Sequence, residues 1–526
     1  MLTLPRVRRG TAFRTSFRGL RGMLWGGLLA GAVWPALAQT AQTAPTSPVV
    51  PALALHTCRL KDVEVDARCG VLRRPLDPAR PQGVQIDLHV AVLPAVARRR
   101  LPDPVVFIAG GPGQSAITLA GPISQLMTRE LNRRDVILVD QRGTGQSAPL
   151  RCDDDKPTRT LAESMDPAAE QRALQACRAR LQKLPYGDLR QFTTPIAMAD
   201  LDAVRQALGV DRWNVVGGSY GTRAALEYQR QFPAHVRRMV LDGVAPADMV
   251  LPQSFATGAQ AALEAVFDDC AQDSGCRAAY PSARAQWQAL LGSLPRKVTV
   301  AHPFTGQPET FTLTRAMLAS LVLPPLYAPL TASALPLAVL QASQGRFEAL
   351  VGLGLGAMGG GRGLGLATGM HFSVICAEDV PRMKPGGEST LTDFGDFQER
   401  LYRESCRDWP RGELPTAFYT VPPASSPVLL LSGAVDPATP PAHAERVLKA
   451  LGPKAVHIVV PHAGHGVMSL GCMRDVVFRF LDEPDDAQAL AQVGADAACT
   501  ARMPRPPALL PLMSSTAASA PQGGAR

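Results

Sequence analysis

Trp213-Asn214-Val215-Val216-Gly217-Gly218-Ser219-Tyr220-Gly221 is the stretch that decides the fold. An apolar run enters two glycines, a serine and a third glycine. Ala224, Tyr228 and Phe232 then recur at helical spacing until Pro233 ends the run. The pattern predicts strand, sharp turn and helix, with Ser219 at the apex. Such a turn is too tight for side chains at its flanks, which is why small residues stand there, and its strain lifts the serine hydroxyl clear of the backbone. The turn also aims the Tyr220 amide N–H at whatever the serine attacks. A bare G-x-S-x-G match is weak, because many such matches are ordinary turns. The surrounding strand and helix, and the partners named below, give this one its weight.

Outward from the turn, Val105-Val106-Phe107-Ile108, Val136-Ile137-Leu138-Val139 and Met239-Val240-Leu241 read as buried strands of a mainly parallel sheet. Between them Thr194-Pro195 offers a helix start, Leu201, Val204 and Leu208 line one helical face, and Gly209 offers a stop. Alternation of this kind means α/β, with ligands outside the carboxyl ends of the strands. Residues 50–244 form the first part of this core. From 245 to 414 the chain reads as mostly helical, with few convincing strands, and holds a glycine tract (Gly352 to Gly369) expected as a surface loop. No Gly-Lys-Ser/Thr ending makes that tract a phosphate loop. Strand-like runs return at Val428-Leu431 and Val456-Val460, so 415–485 is the second part of the core. The helical stretch is then an insertion, expected to cap the strand ends. Residues 500–526, rich in proline, alanine, serine and glycine, read as a disordered tail.

The N-terminus, 1–38, reads as an export signal. Six arginines precede the apolar stretch Met23 to Trp34, and Ala36-Leu37-Ala38 offers a cleavage site before Gln39. Apolar residues are missing at the place a twin-arginine signal built on Arg8-Arg9 wants them, so general secretion to periplasm or medium is expected. The apolar stretch is shorter than the roughly 20 residues of a membrane span, and no span is expected after cleavage. Of the net charge of +9, six charges leave with the signal, so the exported chain carries about +3. A charge of that size serves solubility and is no nucleic-acid footprint. The remaining length, about 490 residues, exceeds one minimal core, and two interdigitated domains are expected.

Ten cysteines beyond the signal fit an oxidising compartment. Nearest-neighbour pairing is the simplest arrangement: Cys58 with Cys69, Cys152 with Cys177, Cys270 with Cys276, Cys376 with Cys406, and Cys472 with Cys499. No spacing suggests a metal, and no cofactor is expected.

A serine is a poor nucleophile at neutral pH and needs a base, which in turn needs an orienting acid. In the chain order Ser, Asp, His, each partner should follow a late strand. Asp436 does so in Leu431-Ser432-Gly433-Ala434-Val435-Asp436, and His465 in Val460-Pro461-His462-Ala463-Gly464-His465-Gly466. His462 competes as base, but glycines flank His465 and let its loop swing the ring toward Ser219. Asp140, in a turn-rich stretch running to Ser147, precedes the serine and reads as a structural loop residue. Gly110-Gly111-Pro112-Gly113 follows the Val105 strand and can set a backbone N–H beside that of Tyr220. Two such donors would hold the oxyanion of a tetrahedral intermediate.

These residues resemble the α/β-hydrolase fold and, more narrowly, the secreted tripeptidyl aminopeptidase and proline iminopeptidase group of serine exopeptidases. The resemblance spans residues 55 to 485 through four ordered motifs: Gly110 to Gly113, Asp140 to Ser147, Gly217 to Thr222, and the pair Asp436 and His465. Tyr220-Gly221-Thr222 is more similar to the tripeptidyl branch, since proline iminopeptidases usually place tryptophan after the serine. The resemblance implies Ser219 as nucleophile, His465 as base and acid, Asp436 as its orienter, and Gly110, Gly111 and Tyr220 as the oxyanion site. Ala109 departs from the usual residue before the first glycine pair. An exopeptidase also needs carboxylates facing the free α-amino group, and Glu378, beside Asp379 near the end of the insertion, is the candidate.

The expected partners are therefore peptide substrates, with no nucleic acid, and no motif speaks to oligomeric state. Two other classes compete. One is an esterase with the same chemistry on small esters. The other is a non-catalytic binding protein in a hydrolase shell, disfavoured because every triad and oxyanion position is filled.

Overall fold

A computed structural model of the chain describes residues 52–152, 160–357, 365–384 and 386–511. The expected export signal and residues 512–526 of the expected tail lie outside them.

Each apolar run read from the sequence is a strand. The strands are β1 (His56–Cys58), β2 (Ala67–Pro75), β3 (Gln85–Leu93), β4 (Val105–Ile108), β5 (Val136–Val139), β6 (Trp213–Gly218), β7 (Val236–Asp242), β8 (Arg296–Ala301), β9 (Pro308–Leu313), β10 (Val428–Gly433) and β11 (Ala455–Val460). Nine of them make one sheet in the order β1-β2-β3-β5-β4-β6-β7-β10-β11. The first three join by antiparallel pairings, β3 also runs antiparallel to β5, and every pairing from β5 to β11 is parallel. The α/β class and the mainly parallel sheet are as expected. Met239 of β7 faces Val428 of β10, so the residues between them are an excursion from adjacent strands.

Side-chain alternation fixes the two faces. Val215, Met239, Leu241 and Leu430 point to one side, under the helices Thr194–Ala207 and Tyr220–Gln231. Val216, Val240, Leu429 and Leu431 point to the other, under the helices Met473–Asp482 and Asp486–Ala497. Burial on both faces is what a continuous Val/Leu run demands.

The excursion has an apolar core of its own, in which Leu263, Phe267, Trp287, Leu318, Val322 and Val339 are buried. Three features of this region differ from expectation. β8 and β9 form an antiparallel hairpin where few strands were expected; their alternation buries Val298, Val300, Phe311 and Leu313. The described part of the glycine tract is largely helical: Glu348–Ala357 is a helix, and a Cβ on Gly354 would come 2.6 Å from the Leu321 carbonyl oxygen. Gly354 thus permits close helix packing. The helix Thr368–Glu378 buries Met370, Val374 and Ile375 in the core of the sheet. The described residues all fall in one compact unit.

The described part of the tail is also not loose. The Leu509 N–H donates to the Ser333 carbonyl at 3.1 Å, and Arg505 pairs with Asp269 at 3.2 Å. Backbone and ionic contacts hold it where composition alone suggested disorder.

All ten cysteines are joined, each to its nearest neighbour in sequence. Cys58 bonds to Cys69 and ties β1 to β2, and Cys152 bonds to Cys177 of the helix Pro167–Leu181. Within the insertion Cys270 bonds to Cys276, and Cys376 bonds to Cys406, fastening the helix Thr368–Glu378 to the end of the helix Phe397–Ser405. Cys472 bonds to Cys499 near the end of the core. The pairing is the one expected from sequence order. Among the described residues no helix is long and apolar enough to cross a membrane, and no acidic, histidine or cysteine cluster is arranged to hold a metal.

Candidate active site

Ser219 sits between β6 and the helix Tyr220–Gln231 with φ 55° and ψ −124°, a conformation that costs a non-glycine residue of order 1–3 kcal/mol. The surroundings enforce it. A Cβ on Gly221 would lie 2.1 Å from the Ile108 carbonyl oxygen, and one on Gly217 would lie 2.5 Å from that of Gly221. Only glycine lets the helix start this close to β4. The Ser219 N–H donates to the Asp242 carbonyl at 2.8 Å, and the Thr222 hydroxyl donates to the Ser219 carbonyl at 2.6 Å.

His465 lies on the loop after β11. Its N–H donates to the Tyr327 carbonyl at 2.8 Å, and the Tyr327 ring meets the imidazole edge-on at 5.2 Å between centroids. Nδ1 stands 2.8 Å from Asp436 Oδ2. An ionised carboxylate only accepts, so Nδ1 carries the proton and Nε2 keeps its lone pair. Asp436 is itself held by the N–H groups of Ala438 and Thr439 at 2.8 and 2.9 Å and by the Thr439 hydroxyl at 2.8 Å. Burial pushes the Asp436 carboxyl up, but the His465 charge and these hydrogen bonds outweigh it, leaving it below the ordinary carboxylate range. Burial likewise pushes the His465 imidazole down, and the Asp436 charge and hydrogen bond, with Asp242 adding to them, carry it above its ordinary value.

Ser219 and His465 border one cleft of about 440 Å³, together with Gly110, Gly111 and Tyr220, a volume within the range of small-ligand sites. A Cβ on Gly110 would come 3.1 Å from Ser219 Cβ, so the backbone of that turn abuts Ser219. The insertion grips the same turn from above: the Ala367 N–H donates to the Gly113 carbonyl at 2.9 Å, and His371 Nδ1 lies 3.2 Å from that of Pro112. Residues read from both parts of the sequence thus converge on one place.

The competing residues go elsewhere. His462 is exposed and borders a separate apolar hollow beside Pro506 and Ala508. Asp140 closes its own loop, accepting from the Ser115 hydroxyl at 2.6 Å and from the N–H groups of Ile117 and Gln146 at 3.1 and 3.2 Å.

Glu378 does not face the cleft, which corrects its assignment to the substrate amine. It is fully buried behind Tyr220. Its carboxylate accepts the Thr194 N–H at 2.7 Å, the Thr194 hydroxyl at 3.0 Å and Arg223 at 3.3 Å. An acidic residue at the amino end of the helix Thr194–Ala207 satisfies an N–H that has no partner within the helix and interacts favourably with the helix dipole. The same Thr194 hydroxyl lies 2.6 Å from the Tyr220 hydroxyl. Through Thr194, Glu378 therefore braces the Tyr220 side chain beside the Ser219 turn.

Some neighbours of the site escaped the sequence reading. Tyr327, His371 and Tyr402 reach the cleft from the insertion across long sequence separations, and nothing local marks them. Asp242 and Thr439 do have a local signal, an acid at a strand's carboxyl end followed by glycine and a hydroxyl three residues past Asp436.

Comparison with known proteins agrees with this geometry. The family model for the alpha/beta hydrolase fold matches residues 103–279, which hold Ser219, and that for TAP-like proteins matches 392–490, which hold Asp436 and His465. Serine protease Hip1 of Mycobacterium tuberculosis is 33% identical over 238 residues, 42% of this chain and 45% of that protein. Tripeptidyl aminopeptidase of Streptomyces lividans is 33% identical over 190 residues, 34% of this chain and 35% of that protein. These matches thus span less than half the length of either relative. Carboxylesterase B of Mycobacterium tuberculosis is 29% identical over 464 residues, 80% of this chain and 86% of that protein. With a strained serine after β6, a histidine and an acid on loops of the last two strands and these matches, the chain has the α/β-hydrolase fold, and its later part is similar to TAP-like proteins.

Proposed function

We propose that the protein is an exported serine hydrolase that releases short peptides or amino acids from free N-termini. The observation that carries this reading is the meeting of Ser219, the His465–Asp436 pair and the Gly110–Gly111 turn on one cleft roofed by the insertion. Nε2 of His465 takes the Ser219 proton as Oγ bonds to the scissile carbonyl carbon. The oxyanion is received by the N–H groups of Tyr220 and the Gly110–Gly111 turn. The C–N bond breaks as His465 returns the proton to the leaving amine, and water then repeats the cycle on the acyl-enzyme. The five disulfides and the arginine-rich, apolar N-terminus support export.

One observation favours a second reading, an esterase. The cleft wall is mostly apolar, with Leu251, Phe255, Leu366 and Ile375 on it, and Glu378 is withdrawn from it. The one acid on the cleft wall, Asp242, has its carboxylate taken up by the N–H groups of Val467 and Met468.

Hydrolysis of fluorogenic mono-, di- and tripeptides with free or acetylated N-termini, beside a p-nitrophenyl ester, separates the two on protein starting at Gln39. Cleavage that needs the free amine is the expected result, and the longest unit released gives the step length. Cleavage of the ester alone would sink the peptidase reading and leave the esterase.

A further inference from the structure

A second carboxylate stands under the catalytic histidine. Asp242 ends β7, is buried, and borders the cleft beside Ser219 and His465. Its main-chain carbonyl accepts the Ser219 N–H at 2.8 Å. Its side chain turns the other way: Oδ1 and Oδ2 accept the Val467 N–H at 2.9 and 3.0 Å, and Oδ2 accepts the Met468 N–H at 2.9 Å. Val467 and Met468 follow His465-Gly466 directly. The next residue, Gly243, has φ 70°, and a Cβ there would come 3.1 Å from His465 Cε1. One dipeptide thus touches the nucleophile turn, the imidazole and the loop that carries it.

We propose that Asp242 is a positioning residue, locking the Ser219 turn to the His465 loop and adding a second negative charge for the imidazolium that forms during acyl transfer. This rests on the serine-hydrolase reading above. A buried acid is normally expensive, and two carboxylates near one imidazole more so. The gain appears when His465 takes the serine proton, because both charges then face a cation. The ionisable groups facing His465 are Asp436, Asp242 and the phenol of Tyr327. Burial raises the phenol far out of the neutral range, so it stays uncharged. Asp436 already holds Nδ1, which leaves Asp242 the loop and the charge.

The test is the rate at which a fluorophosphonate modifies the full exported chain, followed against pH for the wild type, Asp242→Asn and Asp242→Glu. The phosphonate needs the serine and its base but no knowledge of the substrate. The wild-type rate should rise with pH through a midpoint above the ordinary histidine value of about 6.5. Asn keeps the size and one acceptor but loses the charge. It should lower the plateau about tenfold, a part of the 10²–10⁴ a positioned general base supplies, and move the midpoint down by about half a unit to one unit. Glu keeps the charge and displaces the oxygens, so it should lower the plateau while leaving the midpoint nearer that of the wild type; this second variant reads the idea even if Asn fails to fold. Unchanged plateau and midpoint in a folded Asn variant would overturn the proposal, as would full wild-type rate in the Glu variant. A wild type that is not modified at all would instead sink the serine-hydrolase reading.

Discussion

Ser219→Ala is expected to lower kcat by about 10⁶-fold on any substrate the protein cleaves, because a nucleophile and its base act as a unit. Asp436→Asn should cost less, about 10⁴-fold, since the amide keeps the shape but favours the wrong imidazole tautomer. The contrast depends on the geometry around His465. Asp436 Oδ2 stands 2.8 Å from Nδ1 and also accepts the Thr439 hydroxyl, so an amide nitrogen at that position would present a proton to two donors. Neither change should disturb the fold: the Ser219 turn is held by main-chain contacts and by Thr222, not by the serine hydroxyl. Single-turnover and steady-state rates, with circular dichroism as the check on folding, measure both. A Ser219→Ala protein that retained more than a few per cent of the activity would mean that the chemistry lies elsewhere.

Arg223→Met is expected to be the most destabilising single change near the site. Arg223 is fully buried; it pairs with both oxygens of Asp379 at 2.9 and 3.0 Å and with Glu378 at 3.3 Å, and it donates to the carbonyls of Pro246 and Met249. Removing it leaves two adjacent carboxylates buried without a counter-charge, a loss of about 3–5 kcal/mol in comparable cases. That is a large share of the roughly 5–15 kcal/mol that holds a typical domain together. The loss should depend on pH. Burial, opposed by Arg223 and the Thr194 hydrogen bonds, pushes the Glu378 carboxyl up to about 7. A carboxyl raised in the folded state binds its proton more tightly there than in the unfolded chain. Its contribution is therefore favourable below the unfolded value of about 4.5 and is lost as pH rises toward 7. Without Arg223 this loss grows, so the variant should fall further below the wild type at about pH 8 than at about pH 5. Thermal midpoints at the two pH values test it; an equal drop at both would assign the loss to packing alone.

How much of this was legible in the sequence follows from the range over which each signal acts. The Ser219 turn is local: a few consecutive residues encode a strand, a tight turn and a helix start, and the structure places them accordingly. Asp436 and His465 were readable because each follows a recognisable strand and sits among small residues. The parallel core was readable for the same reason, a Val/Leu run buried on both faces. The disulfides were readable because each joins cysteines close in sequence; Cys376 and Cys406, the most widely spaced pair, are separated by 30 residues. The insertion was not. Its hairpin is short, and Gly354 serves close helix packing in a stretch where composition alone suggests a loose loop. Glu378 shows the limit most clearly. Its sequence position near the end of the insertion suggested a substrate contact. Its role is set by Thr194 and Arg223, 184 and 155 residues earlier, and no local pattern records such a meeting. Asp242 lies between these cases. Its place at a strand end was readable, but its bonds to Val467 and Met468 cross 225 and 226 residues.

The most direct test of the account is where a fluorophosphonate attaches to folded protein starting at Gln39, read by intact mass and peptide mapping. A single adduct is expected, on the peptide that contains Ser219, with the rate collapsing in His465→Ala. No adduct on the folded protein, or an adduct on a different serine, would contradict it.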